Sequence, residues 1–136
     1  MKLATLLQLP ILFSILIGCG QSDKTYDAFC AASPPGFRTP SEGLDHLRPY
    51  LSIQVNSGGL LTWAGTPITD DQLASYVHQA GNLNPQPQLV LEVASKAPCV
   101  RVERVREILL SSSICKGVRL CSEGRNPKNW RITGGP

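Results

Sequence analysis

Hydrophobic and polar positions change period along the chain, and the changes mark the elements. Leu3 to Ile17 is mostly apolar, interrupted by Gln8 and Pro10. Residues 20–49 are rich in Ser, Pro, Gly and charge, and Ala31-Ala32-Ser33-Pro34-Pro35-Gly36 cannot form a regular element. Leu51, Ile53 and Val55 then alternate with Ser52 and Gln54, which predicts a half-buried strand. Asn56-Ser57-Gly58-Gly59 reads as a turn, Leu60 to Ala64 as the second strand of a hairpin, and Gly65-Thr66-Pro67 as its end. Thr69 with Gln72 predicts a capping box, and Ile68 with Leu73 a hydrophobic staple. Asp70 and Asp71 fall in the first turn, where the helix dipole favours acids, and this explains them without an acid-base role. Leu73, Tyr76, Val77 and Ala80 form the buried stripe of that helix, which fades at Gly81.

The second half repeats the alternation of strand and helix. Leu89 to Val93 is apolar enough for a strand inside a sheet. Val102, Val105, Ile108 and Leu109 recur at helical spacing over 99–112, and Gly117 stops that helix. Val118 to Cys121 reads as a further strand, and the tail keeps only Trp130 and Ile132 as anchors for a short edge strand. The order β-β-α-β-α-β with right-handed crossovers predicts an α+β fold, a two-layer sandwich with two helices on one face of a mixed sheet. The expected division is a leader over 1–18, a flexible tether over 19–49, the α+β domain over 50–121 and a tail over 122–136.

The first segment decides how the cysteines are read. Lys2 ahead of an apolar core has the shape of a signal peptide, and the core is shorter than the about 20 apolar residues of a spanning helix. Leu16-Ile17-Gly18-Cys19 resembles the lipobox of bacterial lipoproteins. That resemblance implies cleavage before Cys19 and lipidation of its thiol, with palmitate among the acyl chains. A single acyl chain anchors only marginally, and lipoproteins of this kind carry several. Gly20 after the Cys, by resemblance to enterobacterial sorting, favours the outer membrane, with the domain facing the periplasm.

Five Cys minus a lipidated Cys19 leaves Cys30, Cys99, Cys115 and Cys121, and an even number in an oxidising compartment reads as two disulfides. Of the three pairings, spacing disfavours two. Cys99 and Cys115 lie at opposite ends of the second helix, roughly 24 Å apart. Cys115 and Cys121 bracket the predicted strand, over about 12 Å apart if it is extended. A disulfide needs Cα atoms within about 7 Å. The expected bridges are therefore Cys99 with Cys121 and Cys30 with Cys115. If Val118 and Leu120 face the helices, Cys121 points away from them unless the strand ends before it.

Composition adds little beyond this. The chain has 136 residues, 42% hydrophobic and 17% charged, with 12 Gly and 11 Pro, which excludes a disordered tail, a collagen and a coiled coil. The net charge of +3 is too small to argue for nucleic acid, and the exported compartment disfavours it. The charge is uneven, however. Residues 19–95 carry three basic and seven acidic groups, and 96–136 carry nine basic and three acidic. Arg101, Arg104, Arg106, Arg119 and Arg125 are candidates for a basic face that binds an anionic partner of the envelope. His46 and His78 stand alone and read as surface residues. No P-loop, G-x-G-x-x-G, G-x-S-x-G, H-E-x-x-H or C-x-x-C occurs, so no catalytic residue, metal site or cofactor is expected.

A longer resemblance spans Ser52 to Leu120. Ile53-x-Val55, Gly59, Gly65-x-Pro67-Ile68, Leu73, Leu89-Val90-Leu91-x-Val93-Ala94, the helix with Val102, Val105 and Ile108, and Gly117-Val118-x-Leu120 together resemble the periplasmic domain of the ExbD/TolR family. The resemblance implies partners of the ExbB/TolQ or TonB/TolA kind, or peptidoglycan, and admits a homodimer. The family's transmembrane helix carries an essential Asp, whereas residues 3–17 hold no acid, and Ser95 stands where the family often has Asp. The expectation is a non-enzymatic envelope lipoprotein that has the family's domain without its proton-driven step. The alternatives are an ExbD-like subunit of a proton-motive-force-coupled biopolymer transport system with a retained anchor, and a small secreted enzyme or inhibitor using the loop from Ser95 to Cys99.

Overall fold

A computed structural model describes Thr25, Tyr26, Cys30 and residues 32–133. The expected leader and Cys19 lie outside the described residues. The described chain is α+β: β1 Phe37–Arg38, β2 Leu44–Asp45, β3 Tyr50–Val55, β4 Leu61–Trp63, β5 Thr66–Pro67, α1 Asp70–Gly81, β6 Gln88–Val93, α2 Cys99–Leu110, α3 Ser113–Lys116, β7 Cys121–Gly124 and β8 Ile132–Thr133. The main sheet runs β1-β7-β6-β3-β4-β5, and β2 pairs with β8 in a separate two-stranded sheet. β1, β7, β6 and β3 run parallel, and β4 and β5 are antiparallel to their neighbours.

Period-2 alternation sets the two faces of the sheet. Ile53 and Val55 of β3 and Leu89, Leu91 and Val93 of β6 join Leu73, Val77 and Ala80 of α1 and Val102, Val105, Ile108 and Leu109 of α2 in one buried cluster. Both helices thus cover the same face. The α1 capping box forms as the sequence predicts: Gln72 N–H donates to Thr69 Oγ1 at 3.2 Å and Thr69 N–H to Gln72 Oε1 at 2.9 Å. The turn over Asn56–Gly59 also forms, with Gly59 at φ +81°. Ala64 and Gly65 both take positive φ and turn the chain back into β5, whose Pro67 sits on the sheet edge where no ladder donor is needed.

The structure differs from the sequence reading at both ends of the expected domain. The second half of the expected tether, residues 34–49, belongs to the folded body. Phe37 and Leu44 are buried, β1 extends the sheet beside β7, and the buried Gln88 holds the following strand. Gln88 Oε1 accepts from Asp45 N at 2.9 Å, and its Nε2 donates to Asp45 O at 2.8 Å and Arg48 O at 3.3 Å. Gly43 passes so close to Arg131 that an added Cβ would lie 2.2 Å from the Arg131 carbonyl oxygen. At the other end, the tail does not form an edge strand of the main sheet. β8 pairs with β2, and Trp130 packs with Leu44 and Val90 on the face away from the helices.

The disulfides also differ from expectation. Cys30 bonds Cys99, with Cα atoms 5.3 Å apart, and Cys115 bonds Cys121, with Cα atoms 4.9 Å apart. The exclusion of Cys115–Cys121 assumed an extended chain between them. Instead, α3 carries Cys115, Arg119 adopts φ +52°, and Leu120 N–H bonds back to Ile114 O at 3.2 Å, so the six-residue separation folds into a compact loop. β7 begins only at Cys121, which places Cys121 and Glu123 on the helix-facing side. At the other bridge, Thr25 pairs with Pro98, and Tyr26 N–H donates to Ala97 O at 2.9 Å, which brings the N-terminal segment to the start of α2.

Non-reducing tryptic mapping is expected to give peptide 25–38 linked to 97–101 and peptide 107–116 linked to 120–125. By loop closure, loss of the Cys30–Cys99 bridge should cost about 4 kcal/mol and loss of Cys115–Cys121 about 2 kcal/mol. Denaturant melts of the two paired Cys→Ala variants measure the difference, and equal costs would contradict the assignment of the longer loop to Cys30.

Candidate functional site: the open face of the sheet

The expected basic face is not assembled. Arg106 is buried on α2, its side chain 3% exposed, and meets Glu123 of β7, whose side chain is 0% exposed. Nε donates to Glu123 Oε2 at 2.8 Å, Nη2 donates to Oε1, and Nη1 donates to Glu103 Oε1 at 2.6 Å. Tyr26 Oη–H adds a bond to Glu123 Oε1 at 3.0 Å. Burial pulls the Arg106 guanidinium down, but the Glu123 hydrogen bonds and charge outweigh it and hold Arg106 above its ordinary value. Arg106 is therefore a structural cation.

Most of the other candidates are paired across the two halves of the sequence. Arg101 meets Asp70 at 2.7 Å and donates to Gly59 O at 3.2 Å. Arg104 lies 3.4 Å from Asp70 and 3.2 Å from Glu107. Asp70 thus ties α1 to α2 as well as starting α1. Arg119 meets Glu42 at 3.0 Å on the surface. The Thr39 backbone N–H, together with Arg119, holds the Glu42 carboxyl below its ordinary range. Arg125 is exposed beside the loop after β7. Asp70 and Glu42 of the acidic half thus meet three arginines of the basic half in space. His46 Nδ1 bonds Thr133 O at 3.0 Å, and His78 lies 3.4 Å from Asn82, both on the surface.

What stands out is the sheet face that the helices leave open. Ser52 and Gln54 of β3, Glu92 of β6 and Thr62 of β4 point there, in register across the ladder: Gln54 sits between Glu92 and Thr62. Gln54 Nε2 donates to Glu92 Oε2 at 3.1 Å, and Thr62 Oγ1 donates to Gln54 Oε1 at 3.2 Å. Leu44 and Trp130 cover that face at Val90, and the Trp130 ring also lies against Gly124. Trp130 is held by its indole N–H, which donates to Arg125 O at 2.6 Å, and by Gly124, where a Cβ would fall 2.7 Å from the ring. The turn over Asn126–Asn129 then stands as a wall beside β3 and β6.

Two cavities lie between wall and sheet. One, about 430 Å3, is lined by Tyr50, Ser52, Gln54, Glu92 and the 126–129 turn. The other, about 380 Å3, continues from Gln54, Glu92 and Asn126 toward Asn56, Ser95 and Arg125. Together they form one groove of ligand-binding size, with polar side chains set among apolar surface. Asn126 holds φ +46° at the point they share, a conformation uncommon outside Gly. Sequence reasoning did not single out Glu92, Gln54 or Asn126. The available signal was the lone acid in Gln88-Leu89-Val90-Leu91-Glu92-Val93, a strand otherwise apolar enough to be buried on both faces. No protein-family model matches the chain, and no curated protein matches it.

Removing Glu123 alone, as Glu123→Leu, leaves Arg106 buried without its main partner and is expected to cost about 3–5 kcal/mol in denaturant unfolding. The double variant Arg106→Leu/Glu123→Leu should recover most of that cost, and a double variant no better than the single would show that the pair is not the source. On acidification, the Glu42 contribution is present above the ordinary carboxylate range and is lost as pH falls through its lowered folded value. A titration of the Thr39 amide resonance should report a midpoint below that of an unpaired Glu.

Proposed function

We propose that the protein is a non-enzymatic lipoprotein of the bacterial envelope, whose α+β body binds peptidoglycan or an envelope protein through the groove on its open sheet face. The observation that carries this reading is the groove itself. A sheet with one face under helices and the other lined by hydroxyls, amides and a carboxylate presents rigid polar groups on strands rather than on loops, which suits recognition. The resemblance of Ser52 to Leu120 to the ExbD/TolR periplasmic domain supports the same class: β3, β4, α1, β6 and α2 follow its expected order, while its closing stretch, residues 117–120, is irregular and β7 begins at Cys121. The lipid anchor is supported by Leu16-Ile17-Gly18-Cys19 and by the two bridges, which use the other four Cys and leave Cys19 outside both. No helix among the described residues is long and apolar enough to cross a membrane. The basic-patch version of this reading is replaced, since Arg101, Arg104 and Arg106 are held in pairs.

Two measurements test the reading. Radioactive palmitate should label the wild-type chain and not Cys19→Ser, and a label that survives this change would overturn the lipid assignment. Sedimentation with purified cell wall, or pull-down from envelope fractions, should be weakened several-fold by Tyr50→Ala with Lys128→Ala in the groove and unaffected by Arg119→Ala outside it. Binding indifferent to the groove variants, or no binding to either fraction, would overturn the groove as the binding surface.

A further inference from the structure

Glu92 is a carboxylate near the C-terminal end of the central strand β6, half-buried, and among the described residues its hydrogen-bond partner is the neutral Gln54 amide. Among the described residues no ion pair compensates it, whereas the buried Glu123 has one and the surface acids Glu42, Asp45 and Asp70 each have one. Partly desolvating a carboxylate without a cation is unfavourable, and the usual remedies are a paired cation or a set of charge-assisted donors. Gln54 supplies one donor to one oxygen, and its own carbonyl is taken by Thr62. The carboxylate lines both cavities of the groove.

A second, independent feature stands beside it. Ser52 is two residues before Gln54 on β3, on the same face and diagonal to Glu92. Its Oγ is buried and meets no hydrogen-bond partner among the described residues, although Ser52 lines the larger cavity. Buried hydroxyls are normally satisfied; Ser122 Oγ on β7 is orphaned as well but lines neither cavity, so of the two it is Ser52 that a ligand group in the groove can partner. The groove therefore offers one anionic acceptor and, a diagonal step away, one hydroxyl donor. A ligand that fits both carries a cation with several N–H donors next to a carbonyl oxygen. A peptide N-terminus has this arrangement: an ammonium with three donors, followed by the first peptide carbonyl.

We propose that the groove recognises a free amino terminus of a short peptide, with the ammonium on Glu92 and the adjacent carbonyl accepting from Ser52 Oγ. The proposal rests on the reading of this groove as the binding surface and names the chemical group it takes. The cavity of about 430 Å3 accommodates a few residues, and the half-exposed Tyr50 and the 126–129 turn flank their path.

The probe is triglycine, compared with N-acetyltriglycine, titrated into the full chain in detergent and read from amide chemical shifts. Triglycine should shift Ser52, Gln54, Glu92 and Asn126, and N-acetyltriglycine should bind at least about tenfold more weakly, because a charge-assisted contact is lost. Glu92→Gln keeps the shape and the Gln54 neighbour and should weaken triglycine by a similar factor, and Ser52→Ala should weaken it by less. If Glu92→Gln fails to fold, the two probes on the wild-type chain decide the matter alone. Equal binding of the two probes, or no shift in the groove with triglycine, would overturn the proposal. Groove-dependent sedimentation with cell wall alongside silent triglycine would fail this inference only, whereas loss of both would fail the binding surface as well.

Discussion

The structure turns on one buried ion pair. Glu123 is fully enclosed between the sheet and the helix layer, and such a carboxylate persists only if its charge is met with good geometry. Arg106 meets both oxygens, and Tyr26 adds a hydroxyl donor. For the guanidinium to reach β7, α2 must be rotated so that Arg106 points inward with Val102, Val105 and Leu109. That rotation leaves Arg101 and Arg104 on the side facing α1, where Asp70 waits. One desolvated pair therefore sets the orientation of α2, the α1–α2 contact and the docking of the segment at Tyr26. The desolvation cost offsets much of its Coulombic gain, and other rotations of α2 would leave a bare charge inside.

The two bridges secure segments that local sequence preferences leave undetermined. Cys99 is the first residue of α2, and Cys30 fastens to it a stretch whose Ser-Pro-Pro-Gly composition encodes no element. Cys121 is the first residue of β7, and Cys115 fastens to it the short α3. Both bridges thus act where a helix or strand begins. The wrong pairing had a specific physical origin. Spacing rules convert sequence distance to space only for regular elements, and residues 117–120 are irregular, with Arg119 in the left-handed region, where non-glycine residues are uncommon. Nothing in Gly117-Val118-Arg119-Leu120 separates that turn from a strand.

Legibility followed periodicity closely. The capping box, the α1 stripe, the β3 alternation, the first hairpin and the α+β order are local patterns repeated over several residues, and all of them form. Phe37, Leu44 and Trp130 are isolated apolar residues in polar surroundings, and each is buried by a partner far away in sequence. Gln88, which anchors 45–48 with three hydrogen bonds, reads in sequence as the polar start of a strand. The charge asymmetry misled for a related reason. A run of like charge predicts a face only when its counter-charges stay elsewhere, and here Asp70 and Glu42 lie 31 or more residues from the arginines they meet.

The groove follows from how the outward face of β6 is covered. β6 lies between β3 and β7 in the sheet, so its outward residues Gln88, Val90 and Glu92 must each be dealt with separately. Gln88 is satisfied by the backbone of 45–48, and Val90 is covered by Leu44 and Trp130. Trp130 can lie there because β7 ends at Gly124, where the ring occupies the space a side chain would need. The chain must then rise off the sheet through the left-handed Asn126 before it returns to Trp130, and this detour keeps it from covering Glu92. The packing that buries Val90 is thus the same packing that leaves Glu92 open. A smaller residue than Trp130 would let the turn settle toward the sheet, so the groove and the closure of the second face depend on the same ring.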